Sequence, residues 1–483
     1  MENINKKMLN ATKWTTITEF IAKLVIPLSN MILARILAPE AFGVVATVTM
    51  IISFADMFSD SGFQKYLIQK EFDTKKERFE YANVAFWTNF IISIFIWIII
   101  VIFSENIAEL VGNKGLGNVI IIACIQLPIT AISSIQIALY RREFNFKVLF
   151  YNRLVIIFSP FVITIPLALI GYNFWSLIIG NLVSTFLSAI LLTLKSEWKP
   201  RFKYSIEILK RMLGFSIWTL LESMAIWLTT WIDTFVIGNA LSSYYLGVYK
   251  TSTSLVNSLM SIVTAATTPI LFSGLSRLQN EPYEFKELYF RFQKIVAMLI
   301  IPLGVGLYSY RELATKIMLG NKWMEASFII GLWSLTSVLV IVFSHFSSEV
   351  YRALGKPKLS LVAQLLHLIF LVPTLLLAVN YGFTTLVIAR SIVRLQAILV
   401  HFVIMQFIIK ISIFRSLKNT FPIFLSVSIM YVFSLFFKNL YSGVLMQFVG
   451  ILLCVILYVL VLFLFPKERN QIKYFLKKVR SNG

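Results

Sequence analysis

The sequence predicts an all-α polytopic membrane protein with about 14 transmembrane helices. These are arranged as two pseudo-symmetric six-helix lobes plus two C-terminal helices. Three observations predict this class. Apolar runs of about 20 residues, the length that crosses a hydrocarbon core as a helix, recur from end to end. Lys and Arg fall almost only in alternate gaps between those runs. Short motifs recur at a nearly constant spacing of a little over 200 residues.

The composition agrees. Hydrophobic residues make up 58% of the 483 and charged residues only 14%, where a soluble domain carries about a quarter charged. Mean hydropathy is +0.80. The net charge of +21 reads as topogenic charge facing anionic membrane lipids, not as a nucleic-acid surface, because it is confined to short loops. Cys124 and Cys454 both lie inside apolar runs, and His345, His367 and His401 are the only imidazoles. With no HExxH or CxxC spacing, neither a metal site nor a structural disulfide is expected. The polar stretch from Met1 to Lys13 runs into a charged first span, which is not the pattern of a cleaved signal peptide.

The spans are read at 12–36, 41–63, 81–103, 118–140, 150–170, 173–194, 212–238, 245–272, 293–310, 327–350, 359–379, 384–409, 420–437 and 443–465. With the N-terminus inside, the even gaps hold clusters such as Lys65, Lys70, Lys75, Lys76 and Arg78, then Lys195, Lys199, Arg201, Lys203, Lys210 and Arg211. The odd gaps hold only Lys114, Arg311, Lys316, Lys322 and Lys438, plus Arg35 at a span end. Both termini are therefore expected to be cytoplasmic. Ile206, Leu209, Met212 and Leu213, and in the tail Ile472, Phe475, Leu476 and Val479, recur at helical spacing among cations. Each is expected to lie in the inner headgroup layer.

Three matches point to duplication. Ile170–Ile179 resembles Val379–Ile388 at an offset of 209; Tyr140–Lys147 resembles Tyr351–Lys358 at 211; Phe42-Gly43-Val44 resembles Leu246-Gly247-Val248 at 204. The expected organisation is an N-terminal lobe at 1–194, a cytoplasmic amphipathic linker at 195–211 and a C-terminal lobe at 212–409. Extra helices at 410–465 and a basic cytoplasmic tail at 466–483 follow. Halves of parallel topology typically enclose a site between them.

Residues at the start of the chain carry a resemblance. Ala34-Arg35-Ile36-Leu37-Ala38-Pro39-Glu40-Ala41-Phe42-Gly43 opens span 2, Phe58-Ser59-Asp60-Ser61-Gly62-Phe63 closes it, and Leu67-Ile68-Gln69 follows. Trp231-Ile232-Asp233, Val236-Ile237-Gly238 and Leu246-Gly247-Val248-Tyr249 stand in spans 7 and 8. This pattern resembles the Wzx-type polysaccharide or O-antigen flippases, especially the colanic-acid and teichuronic-acid exporter branch. Those flippases belong to the multidrug/oligosaccharidyl-lipid/polysaccharide exporter superfamily. The resemblance covers essentially the whole chain and is densest over Ala34–Gln69.

It implies a transporter, not an enzyme. Such a protein moves a polyprenyl-pyrophosphate-linked oligosaccharide from the inner to the outer leaflet of the cytoplasmic membrane by alternating access, for surface polysaccharide or capsule export. It needs no bound cofactor, though an H+ or Na+ gradient could drive it, and polymerase or assembly proteins could be partners. The alternatives are a multidrug/cation exporter or a lipid II flippase of the same superfamily. A membrane glycosyltransferase or polymerase is disfavoured by short, acid-poor outward gaps.

Charges inside spans are costly and so mark candidate sites. Arg390 and Arg394 share a face of span 12 at i,i+4 and could hold the pyrophosphate, or pair with a carboxylate; the repeat counterpart near Asn181 is uncharged. Lys23, one turn after Glu19 in span 1, is either a cavity cation or half of a self-contained ion pair. Lys250 in span 8 could face the cavity or snorkel, and Arg35 reads as an interfacial anchor. Glu222 and Asp233, about three turns apart on span 7, could carry a coupling ion or neutralise the arginines. Asp56 and Asp60 are expected to pair with inner-loop cations. Trp218, Trp227 and Trp231 could stack on sugars or simply pack.

Overall fold

A computed structural model describes residues 2–60, 62–441 and 443–470, with side chains at 2–12, 59–60, 214–219 and 221–222 outside that description. The described residues form helices without strands. Thirteen stretches among them are long and apolar enough to cross a membrane. The protein is a multi-pass membrane protein. The remaining predicted span, 212–238, lies within a single 35-residue helix, Ile206–Ala240.

Contacts divide the chain into two units, Met1–Thr251 and Ser252–Gly483. In the first, α1 (Glu2–Ile36) ends one turn after the interior Ser29 to Leu33, and α2 (Pro39–Asp60) begins with Pro at its first turn, where a missing N–H costs nothing. Then come α3 (Phe63–Gln69), α4 (Lys75–Ile102), α5 (Ser104–Leu110), α6 (Gly117–Ala123) and α7 (Gln126–Arg142). Thr74 caps α4 by accepting from the Glu77 N–H, while a Glu77 oxygen accepts from the Asp73 N–H, 3.0 Å away. Span 5 is α8 (Phe146–Ser159) and α9 (Ile165–Leu169), joined through a π turn at Pro160–Thr164 where Pro160 cannot donate. α10 (Phe174–Lys195) and α11 (Ile206–Ala240) follow.

The apolar stripe of α2, Val44, Val48, Ile52 and Ala55, packs with Ile100, Ile120, Cys124, Leu127 and Ile178. A second core joins Phe63 and Leu67 of α3 to Tyr81, Ala85, Ile135, Ala138, Trp198 and Met212. Met212 is fully buried there. The apolar side of the segment that begins at Ile206 is therefore taken partly by protein, and residues 206–211 are the first turns of α11 instead of a separate linker.

α12 (Ser243–Arg277) carries the chain into the second unit, which holds α13 (Pro282–Ser309), α14 (Arg311–Met318), α15 (Ala326–Val340), α16 (Ser347–Ala353), α17 (Lys358–Ala378), α18 (Phe383–Val403), α19 (Ile413–Leu440) and α20 (Val444–Phe463). α13 packs on α15 and α19, α15 on α18, α17 on α18, and α19 on α20. Spans 13 and 14 are thus built onto this unit through α13. Lys438, at the end of α19, donates to the Ser309 carbonyl at the end of α13, 3.0 Å away, a favourable place for a cation. The predicted amphipathic tail lies outside the described residues.

Two of the sequence matches reappear as backbone geometry. Phe144 and Gly355, related by the offset of 211, both have positive φ, 57° and 67°. Asn173 and Gly382, related by 209, do so too, at 46° and 90°. Non-glycine residues seldom adopt such angles. Their coincidence at matched positions marks the same turn built twice.

Candidate functional site

Two arginines and one indole dominate the polar interior of the second unit. Arg390 and Arg394 are one turn apart on α18, so their side chains reach the same patch of α15. There the Arg394 guanidinium lies 3.7 Å from the Trp333 ring centroid, and that of Arg390 lies 5.5 Å away. The ring is fixed: Trp333 is buried and its Nε1 donates to Asn257 Oδ1 of α12, 3.1 Å away. Arg394 also donates to Ser337 Oγ at 3.2 Å and Thr336 Oγ1 at 3.4 Å. Gln396 of α18 also meets α17, where His367 Nδ1 lies 3.1 Å from its Oε1. An aromatic face and neutral hydroxyls help to hold the two cations, and stacking of this kind is worth about 2 kcal/mol when desolvated.

In the first unit, Asp233 and Lys250 come together. Lys250 Nζ lies 3.4 Å from Asp233 Oδ1 and 4.6 Å above the Trp231 ring. Asp233 is buried, and Tyr249 donates to its Oδ2 at 2.7 Å while the Thr234 N–H donates to Oδ1 at 2.7 Å. The acid expected to serve coupling or to neutralise arginines, and the lysine expected to face substrate, are thus neighbours in one network. The Glu222 side chain lies outside the described residues.

Lys23 is half-buried on α1 and Glu19 exposed. Among the described residues no ion pair joins them, so the self-contained pair is not formed. Arg35 sits exposed in the last turn of α1. Asp56 and Lys65 line one cavity; Asp60 and Trp218 have side chains outside the described residues.

That cavity, about 510 Å³ within the first unit, lies among α2, α3, α4, α7 and α11. Trp227 and Trp231 form part of its wall, and Trp227 is held by donating to Ser53 Oγ at 3.0 Å. Asn89 donates to Ser134 Oγ at 2.7 Å, but among the described residues its buried Oδ1 has no hydrogen-bond partner, nor does the buried Thr130 Oγ1. Orphaned buried polar atoms are rare and call for a ligand or water. Sequence reasoning missed Asn89, Thr130, Ser134 and Trp333. They are uncharged, so the cost of burying a charge did not single them out; neutral polar residues inside spans were the available signal.

The profile of the family described as "Polysaccharide biosynthesis protein" matches residues 32–328, more than half of the chain. The chain belongs to that family. Among its relatives, an "Uncharacterized membrane protein in cps region" of Klebsiella pneumoniae is 23% identical over 77% of this chain and 76% of its own length. The succinoglycan biosynthesis transport protein ExoT of Rhizobium meliloti (strain 1021) is 24% identical over 65% of this chain and 63% of its own. The teichuronic acid biosynthesis protein TuaB of Bacillus subtilis (strain 168) is 21% identical over 74% of each. In fold the chain is similar to the lipid II flippase MurJ in an inward closed conformation, with TM-score 0.77, 16% identity, and 95% of this chain and 99% of that one covered. Membership of this family agrees with a transporter, the class the sequence pattern predicts.

Proposed function

We propose that this protein carries a polyprenyl-pyrophosphate-linked oligosaccharide from the inner to the outer leaflet of the cytoplasmic membrane by alternating access, in surface polysaccharide biosynthesis, with both termini cytoplasmic. The observation that carries the reading is the Arg390–Arg394 pair stacked on Trp333 inside a membrane-spanning helix. An arginine at the helix centre costs about 2.5–3.5 kcal/mol on insertion scales. Guanidinium forks match the oxygens of a pyrophosphate, and a desolvated site strengthens the attraction. The sugars need hydroxyl partners while they cross, since unsolvated polar groups in hydrocarbon are prohibitive. The cavity with Asn89, Thr130, Ser134, Trp227 and Trp231 offers amide, hydroxyl and aromatic surfaces of that kind. Asp233, paired with Lys250, is the acid assigned to coupling with an H+ or Na+ gradient.

The test is deletion of the gene, followed by extraction of polyprenyl-linked sugars from sealed vesicles of known orientation. A surface-polysaccharide repeat unit should accumulate on the inner leaflet. Accumulation of lipid II instead would replace this substrate with a peptidoglycan precursor, and no accumulation of either would overturn the flippase reading.

A further inference from the structure

The connection between α10 and α11, residues 196–205, is basic and lies at the end of two membrane-spanning helices, yet it is tied down along its length. Trp198 is 2% exposed and its Nε1 donates to Asn83 Oδ1 at 3.2 Å, while the Arg201 N–H donates to the same oxygen at 3.1 Å. Trp87 Nε1 donates to the Arg201 carbonyl at 2.9 Å, and the Phe202 ring stacks on Trp87 with centroids 4.6 Å apart. Tyr204 and Thr88 share a hydrogen bond of 3.0 Å. Four successive anchors to α4 hold this strap in one shape.

Between strap and helix is a pocket of about 360 Å³, lined by five cations, Lys75, Lys76, Lys199, Arg201 and Lys203, against two carboxylates, Glu80 and Glu197. Lys75 pairs with Glu197 at 2.5 Å, and its hydrogen bond holds that carboxyl below the usual carboxylate range. Lys199 caps the end of α10 through the Thr193 and Leu194 carbonyls. Lys76, Arg201 and Lys203 have no carboxylate within ion-pair distance among the described residues. The lining therefore carries three cations in excess, held in place by a preformed backbone.

We propose that this pocket binds the phosphate group of an anionic membrane lipid. Two features select a lipid over a soluble phosphate. Phe202 is 92% exposed beside the pocket and stacked on Trp87, an aromatic pair suited to the interface between headgroups and acyl chains. The pocket is also set at the ends of α4 and α10, where basic clusters between transmembrane helices meet the headgroup layer. The inference does not depend on the transport reading.

The test uses the full chain in nanodiscs of phosphatidylcholine containing about 20% phosphatidylglycerol, with retained lipid counted by native mass spectrometry. The wild type should retain phosphatidylglycerol over phosphatidylcholine. Lys76→Ser/Arg201→Ser/Lys203→Ser should weaken that retention about tenfold, while the charge-matched Lys147→Ser/Lys210→Ser/Lys418→Ser leaves it unchanged. If the triple variant does not fold, Lys203→Gln alone, at an exposed side chain, should still weaken retention about two- to threefold. Equal losses in the two triple variants, equal retention of phosphatidylcholine, or complete displacement by millimolar inorganic phosphate would each overturn the proposal.

Discussion

Gly43 and Gly247 lie against each other at the start of α2 and the start of α12, and each meets the other's helix in the same way. A Cβ on Gly43 would stand 1.8 Å from the Ser243 carbonyl oxygen, and a Cβ on Gly247 would stand 1.8 Å from the Pro39 carbonyl oxygen. The offset is 204 residues in both pairings, Pro39 to Ser243 and Gly43 to Gly247. Such reciprocity is the signature of a local two-fold contact, here made within one chain by repeated sequence. Asn113 fastens the same corner, donating to Thr47 Oγ1 at 3.1 Å and accepting from Ser243 Oγ at 2.5 Å.

Any side chain at this crossing must push backbone apart. Gly43→Ala and Gly247→Ala should each destabilise the protein by about 1–3 kcal/mol, the range for forced overpacking. The double variant should cost less than the sum, because both residues occupy one contact. Gly306→Ala, in a helix with nothing within 4 Å, is the control and should be neutral or stabilising. Thermal unfolding in detergent reads all four; equal melting points for Gly43→Ala and Gly306→Ala would refute the close approach.

The paired turns make a second prediction. Gly355 has open space where a Cβ would go, so substitution there tests backbone angle alone. Gly355→Val should cost about 1–2 kcal/mol and Gly355→Asn clearly less, since Asn tolerates positive φ. Phe144→Gly should instead stabilise the matched turn, because Phe144 already bears the positive-φ cost that Gly355→Val introduces. A melting point for Gly355→Val equal to that of the wild type would show that the turn relaxes.

For the arginine pair, Arg394→Ala should abolish export of the lipid-linked sugar at matched protein levels, and Arg394→Lys should restore it only in part, because an ammonium lacks the planar fork. Trp333→Leu removes the platform while leaving both charges and should reduce export with a smaller effect on insertion. Full export by Arg390→Ala/Arg394→Ala would make the pair structural.

The Asp233–Lys250 pair calls for a double-mutant cycle. Removing one member of a buried pair costs about 3–5 kcal/mol, much of it from the charge left behind. Lys250→Gln should therefore recover stability in an Asp233→Asn background. Transport should not recover with it, because the proposed coupling acid is still missing. Recovery of both stability and transport in the double variant would assign Asp233 a structural role only.

The sequence by itself determined the features that depend on local composition. Hydropathy over a window of one helix located the spans, because each run must satisfy the bilayer on its own. The repeat offsets were legible as well, and even weak matches such as Tyr140–Lys147 with Tyr351–Lys358 carried a real constraint, a shared positive φ. Tertiary structure decided which side chains meet. Arg390 and Arg394 share a face by helical spacing alone, but nothing in spacing places that face on Trp333, which comes from another helix. Asp233 and Lys250 stand 17 residues apart on successive helices, and only the packing of α11 against α12 turns two separate candidates into one ion pair. Asn89 and Thr130 became informative only when burial left their side-chain oxygens without partners among the described residues. The physical reason is one of range: bilayer insertion is read residue by residue along the chain, whereas charge pairing and polar satisfaction depend on distances between helices that no local pattern encodes.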